Sequence, residues 1–271
     1  MNQFDQDIAL RPLGDFNFAL YIADSWQINV GPNGGYIAAI LLHGMKQYLG
    51  HIQTRSFTCH FLSASVAGPA TLSVNVAKEG RTLSTATTQL KQNGKTIAFA
   101  IATFANDRAA PHLNDLSMPV VPPANEIATE DRMSEGSAHF APFRLKYDQR
   151  IAIGPKTGLL SDEAKTGGWT KFSESRNFDD LALLAISDSW FPSIKAKSDS
   201  AFHTPTVDHT VHFLAQPQDA ECEFLLLMFQ TENASNGYLI EDGFIWSDSG
   251  CLLARSRQLA ILLPTEKGFI T

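Results

Sequence analysis

Two stretches of the chain repeat one another at long range. Residues 58–62 (TCHFL) align with residues 210–214 (TVHFL), 152 positions later. Gly94, which opens an apolar stretch, aligns with Gly250, 156 positions later. Because each copy of an internal repeat must build the same unit, the pattern predicts two similar halves, each with one helix followed by about four strands. A chance match between two Phe-Leu strands is the alternative interpretation of these residues alone.

Local periodicity predicts where the helices lie. Residues 31–35 (GPNGG) form a turn-and-cap cluster, and apolar residues at helical spacing follow as far as Gly50. A second apolar segment, residues 180–191, stops at Pro192, which cannot continue a helix. One apolar helix is therefore expected in each half.

Turn residues and strand-period patterns predict antiparallel strands. Residues 92–95 (QNGK) carry the Asn-Gly signal of a tight hairpin, residues 247–250 (SDSG) predict another, and residues 241–243 (EDG) predict a turn. Strands are expected at residues 72–76, 97–101, 206–214, 224–229 and 251–263.

The pattern weakens between the two halves, from residue 106 to about residue 170. Prolines stand at positions 111, 119, 122, 123 and 142, and the one convincing strand is residues 143–147 (FRLKY). These features predict a connection that wraps around the outside of the fold. We expect an N-terminal repeat at residues 1–110, a connecting segment at 111–138 and a C-terminal repeat at 139–271.

Composition excludes several classes of protein. The 271 residues are 44% apolar with a net charge of −7, which fits a globular chain without a basic stripe for nucleic acid. No apolar run approaches the roughly 20 residues of a membrane span, and the N-terminus is unlike a secretory signal. Cys59, Cys222 and Cys251 have neither disulfide nor zinc spacing. A cytoplasmic location is therefore expected.

A set of motifs spread over the chain resembles the type II acyl-CoA thioesterase family. The motifs are, in chain order, Trp26 with residues 31–36 (GPNGGY), 60–62 (HFL), 80–84 (GRTLS), Asp188 with Pro192, 206–210 (TVDHT), 248–250 (DSG) and 253–258 (LARSRQ). Their order and spacing carry the resemblance from Trp26 to about Leu263. The connecting segment departs from the family pattern, as does a shorter interval between the second helix and the strand after it.

The resemblance implies a double hotdog of the α+β class, with two repeats that each wrap an antiparallel β-sheet around a long helix. It also implies hydrolysis of an acyl-CoA substrate to free acid and CoA, without a cofactor or metal. The family holds its hydrolytic water with an Asp, a Thr and a Gln of the C-terminal repeat, and the matching positions are Asp188, Thr206 and Gln258. Because only the C-terminal repeat carries this set, one working site per chain is expected.

Helix geometry places Asp188 toward the core independently of the resemblance. In the predicted helix 180–191, the apolar stripe through Leu181 and Leu184 continues to Asp188. A buried carboxylate must be hydrogen-bonded, protonated or engaged in a reaction. A position in the last turn of a helix favours its protonated form. A helix-end Asp that faces solvent or bonds a loop is the alternative.

The strand period gives a weaker case for the other two residues. Gln258 is predicted on the face opposite Arg255 and Arg257, turned inward, where its amide could donate to and accept from a water. A Gln that satisfies nearby backbone is the alternative. Thr206 is predicted to share a face with Asp208, which a solvated sheet face explains equally well. His209 and His212 fall on opposite strand faces, so a two-histidine metal site is not expected.

Backbone amides are the expected substrate-binding groups. Gly34, Gly35 and Tyr36 open the predicted first helix, where N–H groups without helical partners could bind the thioester carbonyl oxygen as it gains negative charge. The Gly-rich cluster lacks the Lys-Ser/Thr of a phosphate-binding loop and the spacing of a dinucleotide fingerprint. No G-x-S-x-G nucleophile motif occurs in the chain.

Three functions remain in order of preference. The first is acyl-CoA hydrolysis, and the second is acyl-CoA binding or sensing without turnover. The third is hydration of an enoyl-CoA, which needs an Asp–His pair near a helix start that the sequence does not show. A homo-oligomer is expected in each case, because hotdog sheets leave edge strands that commonly need cover.

Overall fold

Three α-helices and sixteen strands lie in the part of the chain that the computed structural model describes, residues 1–28, 31–50, 52–111, 113–127, 141–156, 159–198, 202–217 and 222–264. The N-terminal half contains α1 (Gln3–Asp7), β1 (Arg11–Gly14), β2 (Asn17–Ile22), β3 (Gln27–Ile28), β4 (Gly31–Pro32), α2 (Gly34–Leu49), β5 (Thr54–Phe61), β6 (Gly68–Lys78), β7 (Ser84–Gln92) and β8 (Lys95–Phe104). The C-terminal half contains β9 (Tyr147–Ile153), β10 (Lys165–Phe172), α3 (Asp180–Ile186), β11 (Phe202–His203), β12 (Thr206–Phe213), β13 (Leu225–Ser235), β14 (Tyr238–Ser247), β15 (Leu252–Ile261) and β16 (Leu263–Pro264).

Twelve strands form one antiparallel sheet, in the order β1-β2-β6-β7-β8-β5-β12-β15-β14-β13-β10-β9. The order is symmetric about its central pair, β5 and β12. From that pair outward, each half contributes its strands in the equivalent sequence, so the predicted repeat is confirmed. Each half also places a hairpin before its helix, β1–β2 in one and β9–β10 in the other, which the sequence patterns did not predict.

The two helices α2 and α3 pack against each other in opposite directions. The side chain of Asn33 caps the start of α2 by accepting a backbone amide of its first turn. Asp188, just beyond α3, accepts the amide of Gly35 at the start of α2. Lys46, in the last turn of α2, bonds Asp180 at the start of α3. Both helices share one apolar core with strands of both halves.

Helix α3 ends at Ile186, so the predicted helix over residues 180–191 is wrong in its last five residues. The hydroxyl of Ser187 lies 2.7 Å from Nε2 of His209 on β12. The indole N–H of Trp190 donates to a threonine hydroxyl of β10 at 2.9 Å. These bonds hold the segment after α3 against the sheet.

The strand predicted at residues 143–147 is also wrong. Residues Pro142–Lys146 form a 3-10 helix, and strand β9 begins only at Tyr147. Proline at the first helical position explains the change, because its fixed φ angle suits a helix start. The region that lacked a pattern in the sequence therefore contributes two strands, β9 and β10.

One of the predicted turns lies inside a strand. Residues 241–243 belong to β14, and the chain instead reverses at Asn236 and Gly237, both with positive φ. The hairpins predicted at 92–95 and 247–250 are confirmed between β7 and β8 and between β14 and β15.

The described part of the connection, residues 113–127, lies on the outer face of the C-terminal half. Its Met118 and Val121 pack against an outer cluster, and the carbonyl of Pro122 accepts the indole N–H of Trp169 at 2.8 Å. The outer cluster comprises Trp169, Phe224, Leu226, Phe244 and Trp246. The connection thus covers an apolar surface. Residues 128–138 of the predicted connecting segment lie outside the described residues, and the division at 110 and 138 stays a prediction.

Candidate active site

Asp188 lies against the start of helix α2. Its Oδ2 accepts the amide of Gly35 at 2.9 Å and Nδ2 of Asn33 at 3.2 Å. The same Nδ2 donates to the Asp188 carbonyl oxygen at 2.8 Å, which fixes the backbone as well. The sequence placed Asp188 at the negative end of its own helix. The structure keeps it just beyond that end of α3, and the carboxylate also faces the positive end of α2.

The surroundings of Asp188 tune its acidity. The pKa of Asp188 is raised from 3.8 to about 7, mainly by burial and in part by the negative charge of Glu241. The amides of Gly35 and Gly34 and the side chain of Asn33 act in the opposite direction. The Asp188 residue is partly exposed to solvent. A carboxylate with a pKa near neutrality is suited to accept a proton at physiological pH.

The amides at the start of α2 are already occupied in this structure. The Gly35 amide donates to Asp188, and the Tyr36 amide donates to Oδ1 of Asn33 at 3.0 Å. The Gly34 amide is close enough to Asp188 to lower its pKa. The expectation that these amides are free to bind a carbonyl oxygen is therefore corrected. In this arrangement they hold the carboxylate.

Both glycines permit this close approach. A Cβ atom on Gly34 would lie 2.8 Å from Oδ2 of Asp188, and a Cβ on Gly35 would lie 2.4 Å from the carbonyl oxygen of Ala185. A larger residue at position 35 would separate α2 from the end of α3, because the clash is with backbone. At position 34 it would displace the Asp188 carboxylate and the ring of Phe61.

Thr206 and Gln258 contact each other directly. The Thr206 hydroxyl donates to Oε1 of Gln258 at 2.9 Å. Thr206 pairs with Ala260 across a bulge at Val207, so the strand alternation shifts there. Thr206 therefore shares a face with Gln258, and the prediction that it shares the face of Asp208 is wrong.

The sequence patterns missed a buried carboxylate beside this pair. Nε2 of Gln258 donates to Oε1 of Glu241 at 2.7 Å, and Glu241 is 4% exposed. Its other oxygen accepts the amide of Ser193 at 2.5 Å and the Ser193 hydroxyl at 2.6 Å. Burial is the main cause that raises the pKa of Glu241. Glu241 shares the strand period with Leu239 on β14, which could have indicated a carboxylate on an apolar face. Residues 241–243 (EDG) instead indicated a turn.

The segment from Ser187 to Ser193, which contains Asp188, is bonded to this part of the sheet at both ends. Ser187 bonds His209 on β12, and Ser193 bonds Glu241 on β14. Strand β15 lies between those two strands, with Gln258 paired to both His209 and Glu241. Among the described residues, the hydrogen bonds of Asp188 reach neither Thr206 nor Gln258. Two of the three predicted residues, Thr206 and Gln258, are thus bonded to each other. Glu241 relates them to Asp188, because it bonds Gln258 and its charge raises the pKa of Asp188.

The two histidines of β12 have different surroundings. His209 is buried and its pKa falls to about 4 through burial, while His212 is exposed on the opposite face. In the described ranges, no group of three or more His, Cys, Asp or Glu could hold a metal ion. No helix in those ranges is long and apolar enough to cross a membrane.

The fold is a double hotdog, in which two hotdog repeats share one continuous sheet. The chain belongs to the acyl-CoA thioesterase family. Residues 22–105 match the acyl-CoA thioesterase N-terminal domain, and residues 119–262 match the C-terminal domain. No curated protein matches the sequence.

Solved structures agree with this assignment. A conserved protein of unknown function with a hot dog fold from Alicyclobacillus acidocaldarius is 25% identical, with a TM-score of 0.89 over 98% of this chain and 99% of that chain. A proposed thioesterase II from Thermobifida fusca YX is 25% identical, with a TM-score of 0.83 over 97% and 98%. The acyl-CoA thioesterase II TesB2 from Mycobacterium marinum is 18% identical, with a TM-score of 0.75 over 97% and 99%, and shows likeness of fold.

Proposed function

We propose that this protein hydrolyses acyl-CoA thioesters, with Asp188 as general base on a water bound by Thr206 and Gln258. The observation that carries the proposal is the bonded Thr206–Gln258 pair, which Glu241 joins to Ser193 of the segment that carries Asp188. The charge of Glu241 also contributes to the raised pKa of Asp188, which is about 7. Membership of the acyl-CoA thioesterase family supports the substrate class.

The hydrogen bonds within the pair define how a water would be oriented. The Thr206 hydroxyl gives its proton to Gln258, so its oxygen is available to accept a hydrogen bond from water. One N–H of Gln258 is used by Glu241, and the second can donate to the water oxygen. A water held in this way keeps a lone pair for attack and directs its other proton toward Asp188.

The reaction then needs no covalent intermediate with the protein. Asp188 takes a proton from water as the oxygen bonds to the thioester carbon, which forms a tetrahedral oxyanion. The oxyanion collapses, the carbon–sulfur bond breaks, and the proton held by Asp188 goes to the departing thiolate. The products are the free acid and CoA, and the carboxylate is ready for another turnover.

Glu241 acts in this scheme as a positioning residue. Its oxygens are bonded to Gln258 on one side and to Ser193 on the other, so the Gln258 amide is held in one orientation. Its charge also keeps the pKa of Asp188 raised. One buried carboxylate thereby supports both the water-binding amide and the base.

The test is thiol release from a panel of acyl-CoAs of increasing chain length. Wild-type protein should hydrolyse at least one of them, and Asp188→Asn should lose roughly 100-fold in rate, the usual size of a general-base effect. Asp242→Asn is the matched control, because Asp242 pairs with exposed Arg257 at 2.7 Å. Wild-type rates in Asp188→Asn would refute the role of Asp188.

A second candidate is acyl-CoA binding or sensing without useful turnover. The occupied amides of Gly35 and Tyr36 favour it, since a hydrolase needs donors for the oxyanion. Tight binding of acyl-CoA by wild-type protein, with no thiol release at any chain length, would favour this function over hydrolysis.

Self-association completes the proposal. Strands β1 and β9 end the sheet, and exposed strand edges are commonly covered by another copy of the chain. Light scattering should give a mass well above the 29.7 kDa of one chain. A mass that stays at the value for one chain would reject oligomerisation. A cytoplasmic location stays part of the same proposal.

A further inference from the structure

Tyr147 carries a buried hydroxyl that is not hydrogen-bonded. The residue is 6% exposed, and among the described residues no group bonds its phenolic oxygen. A buried polar group without a partner costs about 1–3 kcal/mol. A bound substrate can supply the partner that such a hydroxyl lacks within the protein.

The strand that carries Tyr147 is fixed beside the candidate site. Gln149, two residues along the same buried face of β9, donates through Nε2 to the carbonyl oxygen of Ser189 at 3.2 Å and to its hydroxyl at 3.1 Å. Ser189 follows Asp188 directly in the chain. The inner face of β9 therefore lies against the segment that holds the base.

Aromatic packing fixes the other side of Tyr147. Its ring meets Trp26 edge-on, with centroids 6.0 Å apart. Trp26 in turn stacks on Tyr36, in the first turn of α2, with centroids 4.7 Å apart. Tyr147 thus lies in the region between the start of α2 and the Asp188 segment. Packing on both sides leaves its ring little freedom to turn away.

The chemical state of Tyr147 suits a hydrogen-bond donor. Burial raises the pKa of Tyr147 well above its ordinary value, and the nearby charge of Asp188 raises it further. The phenol therefore stays protonated through the neutral pH range. A neutral O–H group can donate to a carbonyl oxygen without losing its proton.

The hydrolytic reaction requires such a donor. The carbonyl oxygen becomes negative when water attacks, and the charge of Asp188 opposes this until the proton has moved. The amides of Gly35 and Tyr36, the nearest donors expected from the sequence, are engaged by Asp188 and Asn33. A different donor must therefore meet the oxyanion.

We propose that the hydroxyl of Tyr147 donates a hydrogen bond to the thioester carbonyl oxygen and stabilises the oxyanion formed on it. This assignment rests on the proposed hydrolysis, whose base and water-binding pair remain as described. It makes Tyr147 a further catalytic residue, contributed by a strand of the hairpin before α3.

Tyr147→Phe removes only the hydroxyl, so it separates catalysis from folding. The kcat should fall roughly 100-fold, the usual loss when one oxyanion donor is removed, with a smaller change in KM. The thermal midpoint should be equal to or above that of wild-type protein, since no internal hydrogen bond is lost. Tyr21→Phe is the matched control, because Tyr21 is 63% exposed on β2.

The carbonyl stretch of bound acyl-CoA gives a second, direct measurement. In Asp188→Asn, which binds without rapid turnover, a hydrogen bond from Tyr147 should lower the infrared frequency of the thioester carbonyl. Asp188→Asn/Tyr147→Phe should return the frequency toward the unbonded value. Identical frequencies in the two proteins would overturn the inference.

The outcomes distinguish this inference from the proposed function. If wild-type protein releases thiol and Tyr147→Phe does so at the same rate, the role of Tyr147 is refuted while hydrolysis stands. If wild-type protein releases no thiol from any acyl-CoA, the proposed hydrolysis is refuted and the inference with it.

Discussion

Thr58 and Thr210 face each other across the central strand pair, with their hydroxyl oxygens 3.0 Å apart. They are paired in the register of β5 with β12, and they are also the two threonines that the sequence repeat aligns. The two halves therefore join where aligned residues of the two repeats face each other. Residues at equal steps from this pair occupy equivalent places in the two halves.

This symmetry identifies what stands opposite the candidate site. The strand registers place small apolar side chains where the C-terminal half has Gln258 and Glu241, although the threonine is kept. The equivalent pairs are Thr54 with Thr206, Ala102 with Gln258 and Ala86 with Glu241. Both alanines are buried. The N-terminal half has neither the amide nor the second carboxylate, which supports one reaction site per chain.

The place equivalent to the site is occupied by an ion pair, and we predict that its role is structural. Nζ of Lys46 lies 2.6 Å from Oδ2 of Asp180, which the Thr54 hydroxyl also bonds. Lys46→Met should cost about 3–5 kcal/mol in the free energy of unfolding, because Asp180 is left buried without its cation. Urea unfolding followed by circular dichroism measures the loss.

The double variant Lys46→Met/Asp180→Asn provides the control. It removes both charges, so most of the lost stability should return. Thiol release per folded molecule should equal that of wild-type protein. A folded double variant with a large loss of rate would show that the ion pair takes part in function.

Much of the fold could be predicted because the repeat and the turn residues act locally. Residues 92–95 determine a hairpin through their own backbone preferences, without help from distant contacts. The apolar spacing that follows Asn33 likewise marks α2. The equivalence of Thr58 and Thr210 came from the alignment of the halves, whereas the pairing of their strands came from the structure. These features depend on nearest neighbours along the chain or on the symmetry of the sequence.

The sequence predicted the identities of the candidate site residues but not their arrangement in space. The position of Asp188 depends on bonds to Gly35 and Asn33, more than 150 residues earlier in the chain. The face of Thr206 depends on a bulge at Val207 that a regular strand period cannot express. Glu241 was predicted in a turn because of its neighbours in the sequence, and its buried hydrogen-bond partners lie on other elements. Long-range contacts decided each of these points.

The pH dependence of the rate follows from the pKa of Asp188. The base must be ionised, so kcat/KM should rise with pH through about pH 7 and then level. Rates measured from pH 5 to pH 9 with one acyl-CoA give the profile. A rate that is constant from pH 5 to pH 7 would contradict the assignment of Asp188 as the base.

Stability should depend on pH in the opposite direction. The pKa of Asp188 is higher in the folded protein than its ordinary 3.8, so the folded chain holds a proton that the unfolded chain releases between about pH 4 and pH 7. Its contribution to the free energy of unfolding therefore falls as pH rises through that range. Asp188→Asn removes the effect. The variant should gain about 2–3 kcal/mol over wild-type protein between pH 5 and pH 8, at about 1.4 kcal/mol per pKa unit. Urea titrations of both proteins at pH 5 and pH 8 measure the difference between their free energies of unfolding. The same difference at both pH values would contradict the prediction.

Glu241→Gln tests the positioning role of the second carboxylate. Loss of its negative charge should lower the pKa of Asp188, so the acidic limb of the rate profile should move to lower pH. The plateau rate should also fall, by about 10-fold, because Gln258 is held less firmly. Glu232→Gln is the control, since Glu232 is exposed on β13. A reduced rate with an unmoved limb would indicate a purely structural role.

The two glycines at the start of α2 should respond differently to alanine. In Gly35→Ala the new Cβ meets the carbonyl oxygen of Ala185 at 2.4 Å, and backbone cannot yield cheaply, so stability should fall by about 2 kcal/mol or more. In Gly34→Ala the Cβ meets Oδ2 of Asp188 at 2.8 Å, and the ring of Phe61 at 3.0 Å. Those side chains can move, so this variant should stay folded but lose roughly 10-fold or more in rate as the base is displaced.

Thermal melting and thiol release, measured on both variants, separate the effect on stability from the effect on rate. A fully active Gly34→Ala would show that the rate does not depend on where the Asp188 carboxylate lies.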